Sequence, residues 1–360
     1  MGFKNAPSGA AAARPARLAA MRLIAVVLAA MVGLLALGGC GAGPEPAQPG
    51  TAAQEARPQV ESAAGEAEDA DPPAADPGAS ASDASTSPGA GDRAPLAGTD
   101  GAGVPQASEL KVRFIDVGQG DCALISCDGQ WLLIDAGPPK ASSTVYSVLQ
   151  RLGVTKIDYL VSTHPDADHA GGIAGALEAA SCGTFFTPVT DSDTRTWRAV
   201  CERLALQGVP FTIPEPGDGF DLGAARVTFL GPVRAASDDN NNSLVLRIDH
   251  GDDSFLFTGD AERAEESDLL AAGVELRADV LKVGHHGSAG ASSPAFLEAV
   301  APRYAVISVG KNSYGHPTDE VLGRLAALDA EVLRTDQGGD ILAVSNGEGV
   351  TFTRKGVTDE

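Results

Sequence analysis

The chain has 360 residues and carries 48 acidic and 26 basic side chains, which gives a formal net charge of −22 at pH 7. Proteins that bind nucleic acid in general obtain much of their affinity by neutralising phosphates with Lys and Arg. The acidic balance therefore argues against a general nucleic-acid-binding protein. Residue usage changes sharply along the chain and divides it into three segments.

Residues 1–40 are predicted to be a lipoprotein signal peptide. Their apolar run at 23–37 has fifteen residues, fewer than the about 20 that a membrane-spanning helix needs. Two glycines stand directly before Cys40, a pattern that resembles a lipobox. We therefore expect lipid on Cys40 to anchor an exported protein to the outer, extracellular face of the cytoplasmic membrane. A plain signal anchor is the alternative interpretation, and Met21 is an alternative start.

Residues 41–108 are predicted to be a disordered acidic linker. They are rich in Ala, Pro, Gly and Ser, contain no aromatic residue and include only two basic ones. Such a segment cannot bury enough apolar surface to offset its conformational entropy. We expect it to hold the following domain away from the membrane.

Residues 109–360 are predicted to form the folded domain, with 37 acidic and 20 basic residues and a net charge of −17. Four cysteines remain in it, and none has the C-x-x-C spacing of a structural zinc site. An even number of cysteines in an exported domain allows disulfides, with Cys182 and Cys201 as one candidate pair. Small buried thiols are the alternative.

Apolar periodicity predicts that strands and helices alternate through this domain. In its first half we expect helices at 142–152, 171–180 and 194–207, and strands at 110–116, 122–126, 131–135, 157–162 and 184–187. In its second half we expect helices at 261–273, 293–301 and 318–328, and strands at 225–231, 243–249, 254–260, 278–284, 304–310, 331–335, 340–344 and 350–354. Antiparallel strands open each half and strand–helix units follow. This order predicts an α/β fold, a four-layer αββα sandwich of two mixed β-sheets with outer helices.

Ligand-type side chains follow four of the predicted strands. They stand in "HPDADH" after "YLVST", "TGD" after "SFLF", "GHHGS" after "VLKV" and "GHP" after "VISVGKNSY". Loops at the ends of strands are where functional sites are usually built. "HPDADH" crowds four such groups into one loop, enough to serve two metal ions. The alternative is an Asp-rich turn that caps the next helix.

These motifs carry a family resemblance that covers the whole folded part. "HPDADH" with the following "GG", "LLIDAG", "LFTGDAE" and "LKVGHHGS" resemble the metallo-β-lactamase fold superfamily. "FIDVGQGDCALI", "NNNSLVLRI" and "YAVISVGKNSYGHP" further resemble the extracytoplasmic domain of ComEC-type competence proteins.

The resemblance implies a dinuclear metal centre. His164 and Asp166 would bind the first ion, Asp168 and His169 the second, Asp260 would bridge them, and His285 would complete the second site. Asp135 would brace the metal loop, while Asp168 and His316 would serve catalysis. The implied substrate contacts are Asn242, Ser243, Lys282 and Ser288. Lys282 is alternatively a strand residue with its head in solvent, and His316 is alternatively a turn residue before Pro317.

The chain departs from the superfamily pattern in two places. Asp166 replaces the middle histidine of the first loop, and the usual histidine before the bridging aspartate has no counterpart. Between His169 and His285 the only histidine is His250, which we expect at the surface in a hairpin turn. The first site is therefore richer in oxygen ligands, which suit harder ions, so we expect the two divalent ions to be zinc or manganese, with magnesium as a further candidate.

The expected function is a ComEC-like phosphodiesterase or nuclease that acts on extracellular DNA through a metal-bridged hydroxide. The alternatives are hydrolysis of a lactone or a phosphorylcholine-type wall ester, and a non-catalytic metal-binding surface lipoprotein. We expect a monomer with the membrane and a separate DNA-uptake channel as partners. Four basic residues are candidates for a local DNA groove: Arg303, Lys311, Arg334 and Lys355.

Overall fold

In a computed structural model of the protein, the structure describes residues 108–354. The predicted signal peptide with Cys40, residues 41–107 of the predicted linker, and Lys355 lie outside the described residues. The helices are α1 (Ser142–Arg151), α2 (Ala167–Ala170), α3 (Ile173–Ala179), α4 (Arg195–Gln207), α5 (Arg263–Ala272), α6 (Pro294–Val300) and α7 (Asp319–Ala327). The strands are β1 (Leu110–Phe114), β2 (Ala123–Cys127), β3 (Gln130–Ile134), β4 (Lys156–Val161), β5 (Ser181–Phe186), β6 (Phe211–Thr212), β7 (Gly219–Leu222), β8 (Ala225–Gly231), β9 (Val245–His250), β10 (Asp253–Phe257), β11 (Val280–Lys282), β12 (Tyr304–Ile307), β13 (Glu331–Arg334), β14 (Ile341–Ser345) and β15 (Val350–Arg354).

The strands form two mixed sheets of similar plan. The first sheet has the order β15-β14-β1-β2-β3-β4-β5-β6, and the second has the order β13-β12-β11-β10-β9-β8-β7. In the first, β1, β2 and β3 pair antiparallel, and β3 to β6 pair parallel. In the second, β7 to β10 pair antiparallel, and β10 to β13 pair parallel.

Side-chain alternation along the strands builds three separate apolar cores. In β2, Ile125 points into the core between the sheets, whereas Leu124 points to the outer face of the first sheet. Helices α1, α3 and α4 cover that outer face, with Trp197 fully packed in it. Helices α5, α6 and α7 cover the second sheet in the same way, with Phe296 at the centre. The predicted four-layer αββα sandwich is therefore confirmed.

Capping side chains set the ends of the outer helices. Thr194 accepts a hydrogen bond from the Trp197 N–H at 3.1 Å, and Thr318 accepts one from the Val321 N–H at 3.4 Å. Gly208 ends α4 in the left-handed conformation, with φ of 69°. After each outer helix the chain returns to its sheet. One edge of the sandwich therefore receives the carboxyl ends of five strands: β3, β4, β10, β11 and β12.

The cysteines of the described residues are free thiols, so Cys182 and Cys201 do not form the candidate disulfide. Among residues 108–354, no helix combines the length and the apolar composition that a membrane crossing requires.

Candidate metal centre

Four buried side chains meet at the edge where the parallel strands end. Asp121, His169, Asp260 and His286 offer ligand atoms that all lie within 4.8 Å of one another. Polar atoms with no hydrogen-bond partner among residues 108–354 cluster at this point or beside it: Asp121 Oδ1, His164 Nε2, His169 Nε2, Asp260 Oδ1 and His286 Nε2. Buried polar atoms are nearly always paired, and imidazole nitrogens and carboxylate oxygens are common ligands of divalent metals. The donor set therefore fits divalent cations.

His164 is held with its Nε2 atom free for a ligand. Thr163 Oγ1 donates to Asp135 Oδ2 at 2.7 Å, so at its 3.1 Å contact with His164 Nδ1 the hydroxyl can only accept. The His164 proton therefore sits on Nδ1, and the lone pair is on Nε2. Burial, with the charge of His169, lowers the pKa of His164 to about 3, which keeps the ring neutral.

Asp135 lies in the bracing position that the resemblance implies. It follows β3 with φ of 55°, an uncommon conformation for a residue other than glycine. Its Oδ1 accepts from the Thr163 N–H at 2.8 Å, and its Oδ2 accepts from His169 Nδ1 at 2.9 Å. The second contact leaves His169 Nε2 to face Asp260 Oδ1 at 3.1 Å.

Replacing Asp135 by asparagine is expected to weaken metal binding by roughly 10- to 100-fold, as for other groups that orient a metal-binding histidine. The amide cannot accept from both Thr163 and His169, so the His169 ring loses its orientation. Metal titration of the purified variant measures the change. Asp158→Asn is the matched control, because Asp158 accepts from the Trp131 N–H at 3.0 Å near the start of β4. Equal affinities in the two variants would contradict the bracing role.

The turn after β11 presents two histidines in strained backbone. His285 has φ of 46° and His286 has φ of 52°, both in the left-handed region that non-glycine residues rarely adopt. His286 Nδ1 lies 2.9 Å from the carbonyl of Ser308, which can only accept, so Nδ1 keeps its proton and Nε2 is the atom that a metal ion would use. His286 Nε2 and His285 Nε2 each lie 3.6 Å from Asp260 Oδ2. Both imidazoles are therefore within reach of the same centre.

Sequence reasoning missed Asp121 and His286. Asp121 stands in the "GQGD" turn after β1, and the same signal that marked the other ligands, a carboxylate after a strand, could have marked it. His286 adjoins the predicted ligand His285, and no pattern distinguishes two consecutive histidines. The backbone conformation of the turn distinguishes them, because it buries His286 and leaves His285 half-buried at the cavity wall.

Lys282 is buried, which contradicts the alternative that its head lies in solvent. Its side chain is 3% exposed, and Nζ lies 2.6 Å from Asp121 Oδ2. The ammonium also donates to the Val283 carbonyl at 2.9 Å. Lys282 therefore positions Asp121 from inside the protein.

Three other predicted substrate contacts are engaged within the fold. Asn242 bonds to the backbone of Ala236 through both polar atoms, at 2.7 and 2.9 Å. Ser243 is fully buried and accepts from the Asp260 N–H at 3.1 Å, while Ser288 accepts from the Gly290 N–H at 3.2 Å. These bonds stabilise the ligand loops. His250, expected at the surface, is buried, with Nδ1 2.7 Å from Ser345 Oγ.

A cavity of about 180 Å³ opens onto the metal-ligand cluster. Five predicted site residues line it: Asp166, Asp168, Asp260, His285 and His316. Asp166 Oδ2 lies 3.7 Å from His164 Nε2, and Asp168 Oδ2 lies 3.3 Å from His286 Nε2. Burial and the neighbouring His285 lower the pKa of His316, so its imidazole is neutral at pH 7. The structure thus gathers the predicted ligands and His316 around one opening.

Metal affinity is expected to rise with pH between 7 and about 9. Although burial lowers the pKa of His286, the carboxylates of Asp260 and Asp121 outweigh it and raise this pKa to about 9 in the metal-free protein. At pH 7 the metal-free ring therefore holds a proton that a metal ion must displace. Manganese titration in weakly buffered indicator solution should show proton release at pH 7. Binding without proton release at pH 7 would contradict this.

Part of the sequence is shared with known competence proteins. The chain is 32% identical over 255 residues to ComE operon protein 3 of Bacillus subtilis, covering 65% of this chain and 33% of that protein. It is 35% identical over 239 residues to competence protein ComA of Neisseria gonorrhoeae, covering 66% of this chain and 32% of that protein. The chain thus spans about a third of the length of these curated relatives.

Two comparisons extend beyond the competence proteins. The crystal structure of the metallo-beta-lactamase fold protein YhfI from Bacillus subtilis is 13% identical, with a TM-score of 0.47 over 66% of this chain and 100% of that one. The sequence model of the Metallo-beta-lactamase superfamily matches residues 115–311, which contain the whole "HPDADH" loop, Asp260 and the "GHHGS" turn. The chain therefore belongs to the metallo-beta-lactamase superfamily.

Proposed function

We propose that the domain is a metal-dependent phosphodiesterase that cleaves DNA outside the cytoplasm. Superfamily membership and the buried His/Asp cluster together indicate a metal-dependent hydrolase. The observation that carries the proposal is the group of unpartnered ligand atoms beneath an open cavity. A structural metal site is closed by its protein ligands, whereas a catalytic site keeps a position open.

The chain's own residues divide the work of the centre. His164 and Asp166 would hold one cation, while Asp121, Asp168, His169 and Asp260, with His285 or His286, would hold the other. When bound, divalent cations supply Lewis acidity and make water nucleophilic near neutral pH. Manganese and zinc both suit this mixture of imidazole and carboxylate donors. The neutral His316 imidazole at the cavity wall is placed to exchange a hydrogen bond or a proton with the substrate.

Charge supports a phosphodiester as the proposed substrate. The carboxylates at the centre would repel a phosphate, and bound cations would reverse that local charge while the domain stays acidic elsewhere. Similarity to competence protein ComA supports DNA as the phosphodiester. Three of the four candidate groove residues lie within the described part of the chain, and they differ in their surroundings. Arg303 lies over the Tyr304 ring at 5.5 Å and Arg334 pairs with Asp336, whereas Lys311 lines an open cavity beside the centre.

We place the protein on the outer face of the cytoplasmic membrane, anchored by lipid on Cys40, as a monomer. In this arrangement the acidic linker supplies reach, and a separate DNA-uptake channel is the partner that would use the activity. Metabolic labelling with a fatty-acid probe tests the anchor, because Cys40→Ala should remove the label and release the protein from the membrane fraction.

The test of the activity uses the full chain, purified in detergent and loaded with manganese or zinc. Single-stranded DNA, duplex DNA and bis-p-nitrophenyl phosphate serve as substrates, and the Asp168→Ala/His169→Ala double variant serves as the inactive control. Cleavage that depends on metal and is lost in the double variant supports the proposal. If the metal-loaded protein leaves all three diesters intact, the phosphodiesterase is rejected, and lactones and wall esters become the substrates to assay.

A further inference from the structure

A second cavity adjoins the metal centre. It measures about 620 Å³, and its wall includes Pro138, Ala167, Lys311 and Tyr314. Gln119, Asp168 and Tyr314 line both this cavity and the smaller one over the ligands. The two cavities are therefore adjacent, and a polymer whose phosphate sits at the ligands would extend toward the larger one.

Tyr314 stands at the junction of the two cavities with its ring open to solvent. Its exposed fraction is 72%, and no other large aromatic residue among residues 108–354 is as exposed. The ring centroid lies 5.7 Å from that of His316. The ring is therefore accessible to a ligand that occupies the cavities beside the metal centre.

The turn that carries Tyr314 is held in one conformation by Asn312. The Asn312 side chain accepts from the N–H groups of Tyr314 and His316, both at 3.1 Å. It also donates to the carbonyls of Gly310 and His316, at 2.9 and 2.8 Å. All the main bonding positions of the amide are used, so the tyrosine is presented by a pre-organised turn.

Lys311 supplies a positive charge in the same cavity wall. It is exposed and makes no ion pair within residues 108–354, in a domain where most basic side chains are paired with carboxylates. Lys140, equally exposed, lies beside the turn that carries Gln119, since its Nζ is 3.6 Å from where a Cβ on Gly118 would stand. Unpaired cations next to an exposed aromatic ring form the combination that binds single strands, phosphate on the cation and base on the ring.

We propose that Tyr314 and Lys311 form a nucleotide subsite for single-stranded nucleic acid. The base beside the reacting phosphate stacks on the Tyr314 ring, and a neighbouring phosphate lies at Lys311. Duplex DNA cannot use this subsite, because its base faces are covered by their neighbours in the stack. The inference rests on the proposed phosphodiesterase function and adds a preference for unpaired strands.

The test compares Tyr314→Ala with the unchanged full chain, loaded with manganese, on two single strands. One is dT12, and the other is the same backbone with tetrahydrofuran abasic residues, which keeps the phosphates and removes the bases. Loss of stacking should raise KM for dT12 by roughly 5- to 100-fold and leave the abasic strand unchanged. Tyr314→Trp should preserve cleavage of dT12. Lys311→Ala should flatten the salt dependence of cleavage on both strands.

Tyr146→Ala is the matched control, since Tyr146 is also exposed, at 40%, but lies on α1. Equal KM values for Tyr314→Ala and the unchanged protein on dT12, with cleavage lost in the Asp168→Ala/His169→Ala variant, would overturn the subsite and leave the phosphodiesterase standing. An equal loss on the abasic strand would overturn base stacking. Hydrolysis of bis-p-nitrophenyl phosphate without cleavage of any DNA would overturn the subsite and nucleic acid as the substrate together.

Discussion

Asp260→Asn is expected to lower phosphodiester cleavage by roughly 10²- to 10³-fold, because groups that stabilise developing charge are individually worth about that much. Asp260 is 2% exposed and lies against three imidazoles, those of His169, His285 and His286. Asparagine keeps the size of the side chain but removes the charge. The measurements are metal content by plasma mass spectrometry and kcat/KM on single-stranded DNA.

The control for Asp260→Asn is Asp253→Asn, at the other end of the same strand. Asp253 begins β10 and is 6% exposed, and it accepts hydrogen bonds from Ser345 and Gly349. It should change stability without changing metal content per folded chain. Retention of metal and of full activity in Asp260→Asn would refute the assignment of the centre.

Lys282→Met is expected to destabilise the metal-free protein by about 3 kcal/mol, since it leaves the buried Asp121 carboxylate without its partner. The midpoint of urea unfolding, followed by circular dichroism, measures the loss. A double variant that also carries Asp121→Asn should recover most of this stability, because the uncompensated charge is then gone.

Lys156→Met provides a matched comparison. Lys156 Nζ lies 2.6 Å from Asp158 Oδ1, the same separation as in the buried pair, but the Lys156 side chain is 60% exposed. Water screens such a pair, which typically contributes less than about 1 kcal/mol. Equal losses in Lys156→Met and Lys282→Met would show that burial does not set the strength of the Asp121 contact.

Much of the fold could be predicted from periodicity and caps. The helix expected at 194–207 is α4, from Arg195 to Gln207, because Thr194 and Gly208 are capping residues visible in the sequence. Two short strands, β6 and β7, carried no prediction, since two and four residues are too few to show a period. The helix expected at 171–180 is α3, from Ile173 to Ala179, and it is preceded by a short helix, α2, that carries Asp168 and His169 and was not predicted.

The sequence predicts where the site lies better than it predicts which atoms are in contact there. Strand ends identified His164, His169 and Asp260, because parallel strands deliver their loops to one edge. The polar atom that a side chain uses depends on neighbours that are distant in sequence. The sequence pattern does not identify those neighbours. Lys282 reads as a solvent-facing strand residue until the structure places Asp121 beside it.

The ligands of the centre come from both sheets. Asp121, His164 and His169 precede residue 215, whereas Asp260 and His286 follow it. The intervening connection between β6 and β7 is exposed at 215–218. A chain nicked there would leave each fragment with half of a ligand set and no site of its own. The nicked protein would therefore keep its metal only while the two fragments stay associated, and its metal content would measure that association.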